Sequence, residues 1–193
     1  GLVADYEEAD AYYNNGWIAD KVAEIMAENG LIRISSFCNG FRQVGNIVRP
    51  VTEMSDLAGL KIRTPSVESV VEFYEGISDV GDHITELNYC YSGGCFIAGS
   101  PFWDKLSDED KAIFAECAQL ASDEFTTFFR EKTESMTQEG LESGQWTVDQ
   151  PSDDMKAAMQ EISEEIWEES REKYGDEIMD VIISGEYRTL SES

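Results

Sequence analysis

The longest amphipathic segment of the chain, residues 107–142, sets the strongest limit on what it can fold into. Ser107 and Asp110 form an S-x-x-D capping box, and an apolar stripe follows at helical spacing. The stripe consists of Ile113, Phe114, Cys117, Leu120, Ala121, Phe125, Phe128 and Phe129. Such a helix needs a large apolar partner surface, because most helical stability comes from burying one face. We interpret its phenylalanines as packing residues rather than as a ligand box.

Shorter patterns on both sides of this segment predict further helices and strands. Helices are predicted at 14–29, at 67–75, from Ser152 to Gly175 and at 176–183, with a frayed tail after Gly185. Strands are predicted at 31–38, ended by Asn39-Gly40, and at 60–64, with one helical turn between them at 55–59. The alternation of strands and helices indicates the α/β class.

Residues 83–99 predict two strands around a turn at Ser92-Gly93-Gly94. Cys90 and Cys95 would flank that turn. There they could form a cross-strand disulfide, or they could remain two inert buried thiols.

The acidity of the chain excludes several partners. It has 193 residues and a formal net charge of −26. Nucleic acid and anionic lipid repel such a surface, so we expect neither as a partner. A hydrophobic fraction of 41% is enough for a packed core. The sequence contains no run of 18 apolar residues and no apolar leader, and its charge favours a soluble monomer.

One basic island interrupts the acidic sequence. Residues 29–52 contain no acidic side chain, whereas Arg33, Arg42 and Arg49 fall among them. From Arg33 to Arg63 there are five basic residues and two acidic ones. Salt bridges to nearby carboxylates would explain the island. A site for a small anion would also explain it, because a guanidinium binds a carboxylate through two parallel hydrogen bonds.

Arg63 has the most suggestive position in this island. The alternation over 60–64 predicts a short strand, and Ser66 is a suitable N-cap for the helix that follows. Arg63 would then lie at the carboxyl end of a strand, where open α/β sheets bind their ligands. The free amides of the helix N-terminus would favour an anion at the same place.

Two blocks of the sequence carry short motifs in a fixed order. The first contains G-x-R as Gly40–Arg42, R-P-[IV] as Arg49–Val51, and D-L-x-G-L-K-[IL]-R-x-P as Asp56–Pro65. The second block, Phe102–Asp110, reads FWDKLSDED. In order and spacing these blocks resemble the DctP-type solute-binding proteins of tripartite ATP-independent periplasmic (TRAP) transporters. A weaker similarity covers residues 14–187.

The resemblance implies residue roles. In that family the arginine of K-[IL]-R forms a two-pronged salt bridge with the substrate carboxylate, a role that carries over to Arg63. The arginine of G-x-R also faces the ligand and corresponds to Arg42. Ser66 matches a position that can hydrogen-bond the ligand, and Arg49 matches one that we expect to be structural.

The resemblance also implies a fold and a function. Such proteins have a periplasmic-binding-protein-like (type II-like) two-lobe α/β fold. They capture a small organic acid and deliver it to the TRAP membrane subunits. For this chain we therefore expect a mono- or dicarboxylate ligand, no catalysis and no cofactor. The expected location is the periplasm or the extracellular face of the membrane, with a lipoprotein anchor as one possibility.

The sequence is shorter than the family pattern. The opening βαβ units of the first lobe have no counterpart before Gly1, and a middle segment of the family is missing between Tyr74 and Asp79. We therefore expect an incomplete two-lobe fold over residues 1–193, with interleaved lobes and long C-terminal helices.

Other functions stay open at this point. The alternatives are an acidic helical interaction protein, a non-binding fragment of such a receptor, and an enzyme that anchors a carboxylate substrate on Arg63. An enzyme would need Ser66, Glu68 or Ser69 as its reactive group.

Metal and hydrolase sites are not indicated. His83 is the single histidine, and its spacing to Asp82, Glu86 and Cys90 matches no closed metal site. The sequence contains neither G-x-S-x-G nor a phosphate-binding G-K-[ST] loop.

Overall fold

The structure, a computed structural model, describes residues 3–60 and 82–191. The helices are α1 (Tyr6–Glu8), which continues as a π-helix (Ala9–Asn14), α2 (Trp17–Glu28), α3 (Ser100–Trp103), α4 (Asp108–Ser143), α5 (Asp153–Glu169), α6 (Arg171–Tyr174), α7 (Asp176–Ser184) and α8 (Tyr187–Ser191). The strands are β1 (Leu31–Asn46), β2 (His83–Gly99) and β3 (Thr147–Asp149), and a 3-10 turn spans Met54–Leu57. The predicted α/β class is confirmed, with helices dominant.

Two long strands form most of the sheet, whose order is β1-β2-β3. β1 and β2 are antiparallel from the Leu31–Gly99 pair to the Asn46–His83 pair. The register shifts three times along β1, between 33 and 35, between 38 and 41, and between 42 and 44. β3 is parallel to β2, and in the described part of the chain it pairs only with residues 83–85. The sheet is therefore a two-stranded ribbon over most of its described length.

The predicted end of β1 at Asn39-Gly40 is wrong. Gly40 has a φ of +83°, which glycine adopts without strain, and the chain passes through a bulge and continues as strand. A side chain on Gly40 would also crowd Phe129, whose Cε1 would lie 2.9 Å from an added Cβ. The glycine thus serves a close approach of α4 rather than a turn.

The predicted hairpin within 83–99 is also wrong, because β2 is one continuous strand. Cys90 and Cys95 are therefore five residues apart along one strand, about 16 Å, whereas a disulfide needs Cα atoms within about 7 Å. Both thiols are free. Cys90 is exposed and Cys95 is half-buried, so the alternative of two buried thiols is wrong as well.

The helix predictions fare better. α4 begins after the Ser107 cap and ends one residue beyond the predicted Glu142, and α2 and α7 lie within or close to their predicted ranges. The helix predicted from Ser152 to Gly175 is interrupted at Ser170, which separates α5 from α6. As far as Ser191, the last residue that the structure describes, the tail is not frayed: α8 forms after Gly185, and Tyr187 is 3% exposed. The predicted helix 67–75 lies outside the described residues.

α4 packs on β1 through a short polar and aromatic seam. The hydroxyls of Ser35 and Ser122 are both buried and lie 2.8 Å apart, and the rings of Phe37 and Phe125 are in edge contact at 5.0 Å. Other residues of the predicted α4 stripe face outward, with Phe128 65% exposed. The stripe is therefore only partly buried. None of the helices in the described ranges is long and apolar enough to cross a bilayer.

Candidate functional site

Arg42 is the predicted site residue that lies within the described part of the chain. It is half-buried near the end of β1, and Cys90 of β2 is its partner across the ladder. Within residues 3–60 and 82–191 its side chain has no hydrogen bond, ion pair or ring contact. Arg63 and Ser66 lie outside the described residues, so their roles stay predictions.

Arg33 and Arg49, the other described arginines of the basic island, bind uncharged groups. Arg33 donates to the main-chain oxygen of Asn14 (2.6 Å) and to the hydroxyl of Ser36. Arg49 donates only to main-chain carbonyls of the 3-10 turn. None of these three arginines forms an ion pair with a carboxylate within the described residues, although the charge of Arg49 does act on the nearby carboxylate of Asp56. Arg42 keeps its donors free for another partner.

Arg49 fixes the turn that precedes the K-[IL]-R motif. Its Nη2 lies 2.8 Å from the oxygen of Asp56 and 2.6 Å from that of Ala58. Gly59 closes the turn with a φ of +79°. The structural role expected for Arg49 agrees with these contacts. They set where the main chain leaves Leu60, three residues before Arg63.

A capping box holds the start of the same turn. Asp56 Oδ2 accepts hydrogen bonds from the main-chain N–H groups of Thr52 (3.0 Å) and Glu53 (2.9 Å). The side chain of Glu53 accepts in return from the N–H of Asp56. Two main-chain hydrogen bonds lower the pKa of Asp56, because both favour its charged form. The bond from the N–H of Thr52 has the larger effect, and the bond from the N–H of Glu53 comes next. The carboxylate therefore stays ionised at neutral pH.

The turn is joined to the start of α5. The N–H of Ser152 donates to the carbonyl of Thr52 (2.8 Å), and its hydroxyl donates to Glu53 (2.9 Å). The same hydroxyl accepts from the N–H of Met155 and so caps α5. Met155 is 1% exposed and Val51 is fully buried. The segment before Arg63 is thus anchored in the core rather than suspended on the surface.

A polar cluster that sequence reasoning missed lies beside Phe41, the neighbour of Arg42. Arg130 of α4 binds both carboxylate oxygens of Asp10, at 2.9 and 3.0 Å. The side-chain amide of Asn14 donates to Asp10 and to the hydroxyl of Tyr91, both at 2.9 Å. Phe41 packs against Tyr91 with their rings 5.3 Å apart. The cluster connects the π-helix, β2 and α4 around the strand that carries Arg42.

Burial raises the pKa of Tyr91, and the nearby thiol of Cys38 raises it further. Tyr91 is therefore a neutral hydrogen-bonding group. The four-residue spacing of Asp10 and Asn14 could have indicated half of this cluster, since such residues share a helix face. No local signal could have indicated Arg130, which lies 120 positions from Asp10.

A cavity of about 390 Å³ lies elsewhere, between the distal end of β2 and α4. It is lined by Ile34, Phe96, Ile97, Ala98, Phe102, Phe114, Cys117, Ala118 and Ala121. None of these residues carries a charge or a strong hydrogen-bond donor, so the cavity is unsuited to a carboxylate. Among the described residues, the candidate site is therefore centred on Arg42.

The sequence matches the family described as bacterial extracellular solute-binding protein, family 7 (DctP), over two segments, residues 2–78 and 66–173. A solute-binding protein from Chromohalobacter salexigens is 23% identical over an alignment 169 residues long, gaps included. The aligned part covers 67% of this chain and 49% of the relative. The chain thus spans about half the length of the curated relative that it matches.

Solved structures show the same fold. A TRAP periplasmic solute-binding protein from Ochrobactrum anthropi, with its C-terminus bound in the ligand-binding pocket, superposes with a TM-score of 0.80. It is 19% identical, and the superposition covers 100% of this chain and 71% of that one. A Haemophilus influenzae counterpart with bound L-gulonate gives a TM-score of 0.74 at 20% identity, covering 95% and 71%. Because the family match extends over most of the sequence, the chain belongs to family 7 of the bacterial extracellular solute-binding proteins, the DctP family.

Proposed function

We propose that this chain captures a small organic acid as the solute-binding component of a TRAP transporter. The proposal depends mainly on the surroundings of Arg42. It lies in the basic island of a chain of net charge −26, and it has no partner among the residues that the structure describes. A guanidinium kept free in such a chain is available for a mobile anion.

Arg42 would act with Arg63 and Ser66. Arg63 would bind the carboxylate through two parallel hydrogen bonds, and Ser66 would add a third donor. Arg49 and the capping box of Asp56 would not touch the ligand. They would hold the main chain that leads to Arg63, since rigid support preserves the geometry of a binding group.

The acidic surface restricts where on the molecule a carboxylate can bind. A net charge of −26 repels anions from most of the molecule, so only the basic island attracts a carboxylate locally. Closure of two lobes would then bury the acid, and the closed form would be recognised by the TRAP membrane subunits at the extracytoplasmic face. The role is capture and delivery, without a chemical step.

The L-gulonate bound to the Haemophilus influenzae protein supports a sugar acid as the ligand. Such a molecule offers one carboxylate for the arginines and several hydroxyls for neutral donors and acceptors. We therefore place polyhydroxy monocarboxylates first among the candidate ligands.

The test is a thermal-shift and calorimetric screen of L-gulonate and other small organic acids. The wild type, Arg42→Ala and Arg63→Ala would be compared, with Arg171→Ala as a control that also removes a positive charge. A ligand at a hundred times its Kd adds about 2.7 kcal/mol to the free energy of unfolding. We expect one acid to stabilise the wild type and Arg171→Ala but neither site variant. If an acid stabilised Arg42→Ala and Arg63→Ala as much as it stabilises the wild type, the proposed site would be refuted.

A further inference from the structure

The largest irregularity of the ribbon lies directly beside Arg42. Arg42 pairs with Cys90, and Val44 pairs with Thr85. Between these two pairs β1 contributes only Gln43, whereas β2 contributes the four residues 86–89. Four residues of β2 facing one residue of β1 form a large bulge, in which main-chain pairing is lost. Arg42 is therefore the last paired residue before this bulge.

The side chain of Gln43 replaces the lost main-chain pairing. Its Nε2 donates to Oδ1 of Asn88 (2.5 Å), and its Oε1 accepts from the N–H of Asn88 (2.9 Å). The amide of Asn88 also reaches the carbonyl of Ala4 (3.3 Å). These contacts hold the tip of the bulge from two sides.

Asn88 has a φ of +46°, and it is the only non-glycine residue with a positive φ in the described part of the chain. Asparagine tolerates this left-handed conformation better than most residues, but the conformation still has an energetic cost. Backbone strain of this kind persists where surrounding contacts over-determine it, and it is concentrated at functional sites. Bulges beside binding sites characteristically re-aim a neighbouring side chain.

We propose that Gln43 and Asn88 are positioning residues that fix the direction of Arg42 for carboxylate binding. The proposal rests on the proposed function, since it assumes that Arg42 binds the ligand. Its physical basis is register: side chains alternate across a strand, so a slip of one residue at the bulge would turn Arg42 to the opposite face. The Gln43–Asn88 pair prevents that slip.

Removing the pair should reduce the fraction of molecules in which Arg42 points correctly. The apparent Kd rises by the reciprocal of that fraction. If about one molecule in ten stays competent, Gln43→Leu raises the Kd roughly ten-fold. Asn88→Gly should raise it less, because glycine accepts the positive φ and keeps the N–H that donates to Gln43.

The first measurement is calorimetry with L-gulonate at 25 °C on the wild type, Gln43→Leu and Asn88→Gly. Gln119→Leu is the matched control, because Gln119 lies on the exposed side of α4 and bonds only to Asp123 within the described residues. We expect the Kd to rise in the order wild type, Asn88→Gly, Gln43→Leu, with the control equal to wild type. Equal Kd values for Gln43→Leu and wild type would overturn the inference.

The second measurement needs no ligand. In ¹⁵N relaxation, the Nε–H of Arg42 and the amide of Cys90 should show order parameters that fall in Gln43→Leu, from about 0.85 toward 0.6 for the amide. If L-gulonate does not bind the wild type, the proposed function fails for this acid, and the order parameters alone decide the inference. Unchanged order parameters in Gln43→Leu would then overturn it.

Discussion

Gly140 offers a sharp test of the packing, because two opposing effects meet there. The glycine is buried in α4, beneath the indole of Trp146, which is itself 8% exposed. A Cβ added to Gly140 would overlap Cε2 and Cζ2 of that ring rather than touch them. Helix propensity alone predicts that Gly140→Ala stabilises the protein by about 1 kcal/mol. The overlap predicts the opposite.

The overlap should prevail. A rigid indole cannot relax by bending, so the ring must shift as a whole, and overpacking of this kind costs about 1–3 kcal/mol. Partial exposure of Trp146 would remove a share of the roughly 3 kcal/mol that burial of a large apolar side chain contributes. After the gain in propensity, we expect Gly140→Ala to lower the free energy of unfolding by about 2 kcal/mol. For a chain of this length the Tm should fall by about 4–8 °C.

The assay is urea denaturation of a double-mutant cycle with Trp146→Leu. With the smaller, flexible leucine in place of the indole, Gly140→Ala should become neutral or stabilising by up to about 1 kcal/mol. Gly140→Ala should therefore be harmful only when Trp146 is present. Stabilisation by Gly140→Ala in the wild-type background, or an equal loss in both backgrounds, would refute the reasoning.

Two further predictions concern single hydrogen-bonded groups. The folded-state pKa of Asp56 is depressed, so the contribution of this carboxylate to stability is complete above its ordinary pKa of 3.8 and is lost as the pH falls through the lower folded value. The difference in unfolding free energy between wild type and Asp56→Asn, measured from about pH 2 to 6, should therefore shrink only at the acid end. A difference that does not change with pH would contradict this prediction. Ser35→Ala should lower the free energy of unfolding by about 1–3 kcal/mol, because it leaves the buried hydroxyl of Ser122 without its partner. The double variant Ser35→Ala/Ser122→Ala should lose less, because neither hydroxyl is then left unpaired. Denaturant unfolding would contradict this account if the double variant were less stable than Ser35→Ala alone.

The helices could be predicted because their signals are local. Ser107 and Ser152 both accept a hydrogen bond from the N–H three residues ahead, in agreement with the capping box predicted at Ser107 and the helix start predicted at Ser152. Gly144 ends α4 in the left-handed conformation, where a glycine after an apolar stripe is expected. These contacts form within one turn of the chain, so the sequence around each of them is sufficient.

The strands were predicted less well, because their glycines serve distant contacts. Gly93 lies against the ring of Tyr13, whose Cε1 would be 3.0 Å from an added Cβ, and Gly94 lies against the ring of Phe37. Glycine is required there so that aromatic rings can approach the strand, although the same residues usually mark a turn. The missed burial of Tyr187 has a similar cause, since its ring is in edge contact with Tyr12, far away in sequence.

The candidate site also has a part that the sequence predicts and a part that it does not. The motifs directed attention to Arg42 and to the role of Arg49, because both lie in short patterns that resemble family positions. The supporting contacts of Ser152 with Thr52 and of Gln43 with Asn88 could not be predicted. They join residues that are brought together only by the complete fold.

The three register shifts of β1 have a consequence for solubility. Within residues 3–60 and 82–191, β1 is an edge strand of 16 residues, and a flat edge of that length invites pairing with the edge of another molecule. The shifts divide the edge into pieces too short and too twisted to add a straight foreign strand. Arg33 and Arg42 also place positive charge on the same strand. The irregularity that surrounds Arg42 thus also protects a long ribbon from growing, strand by strand, into an aggregate.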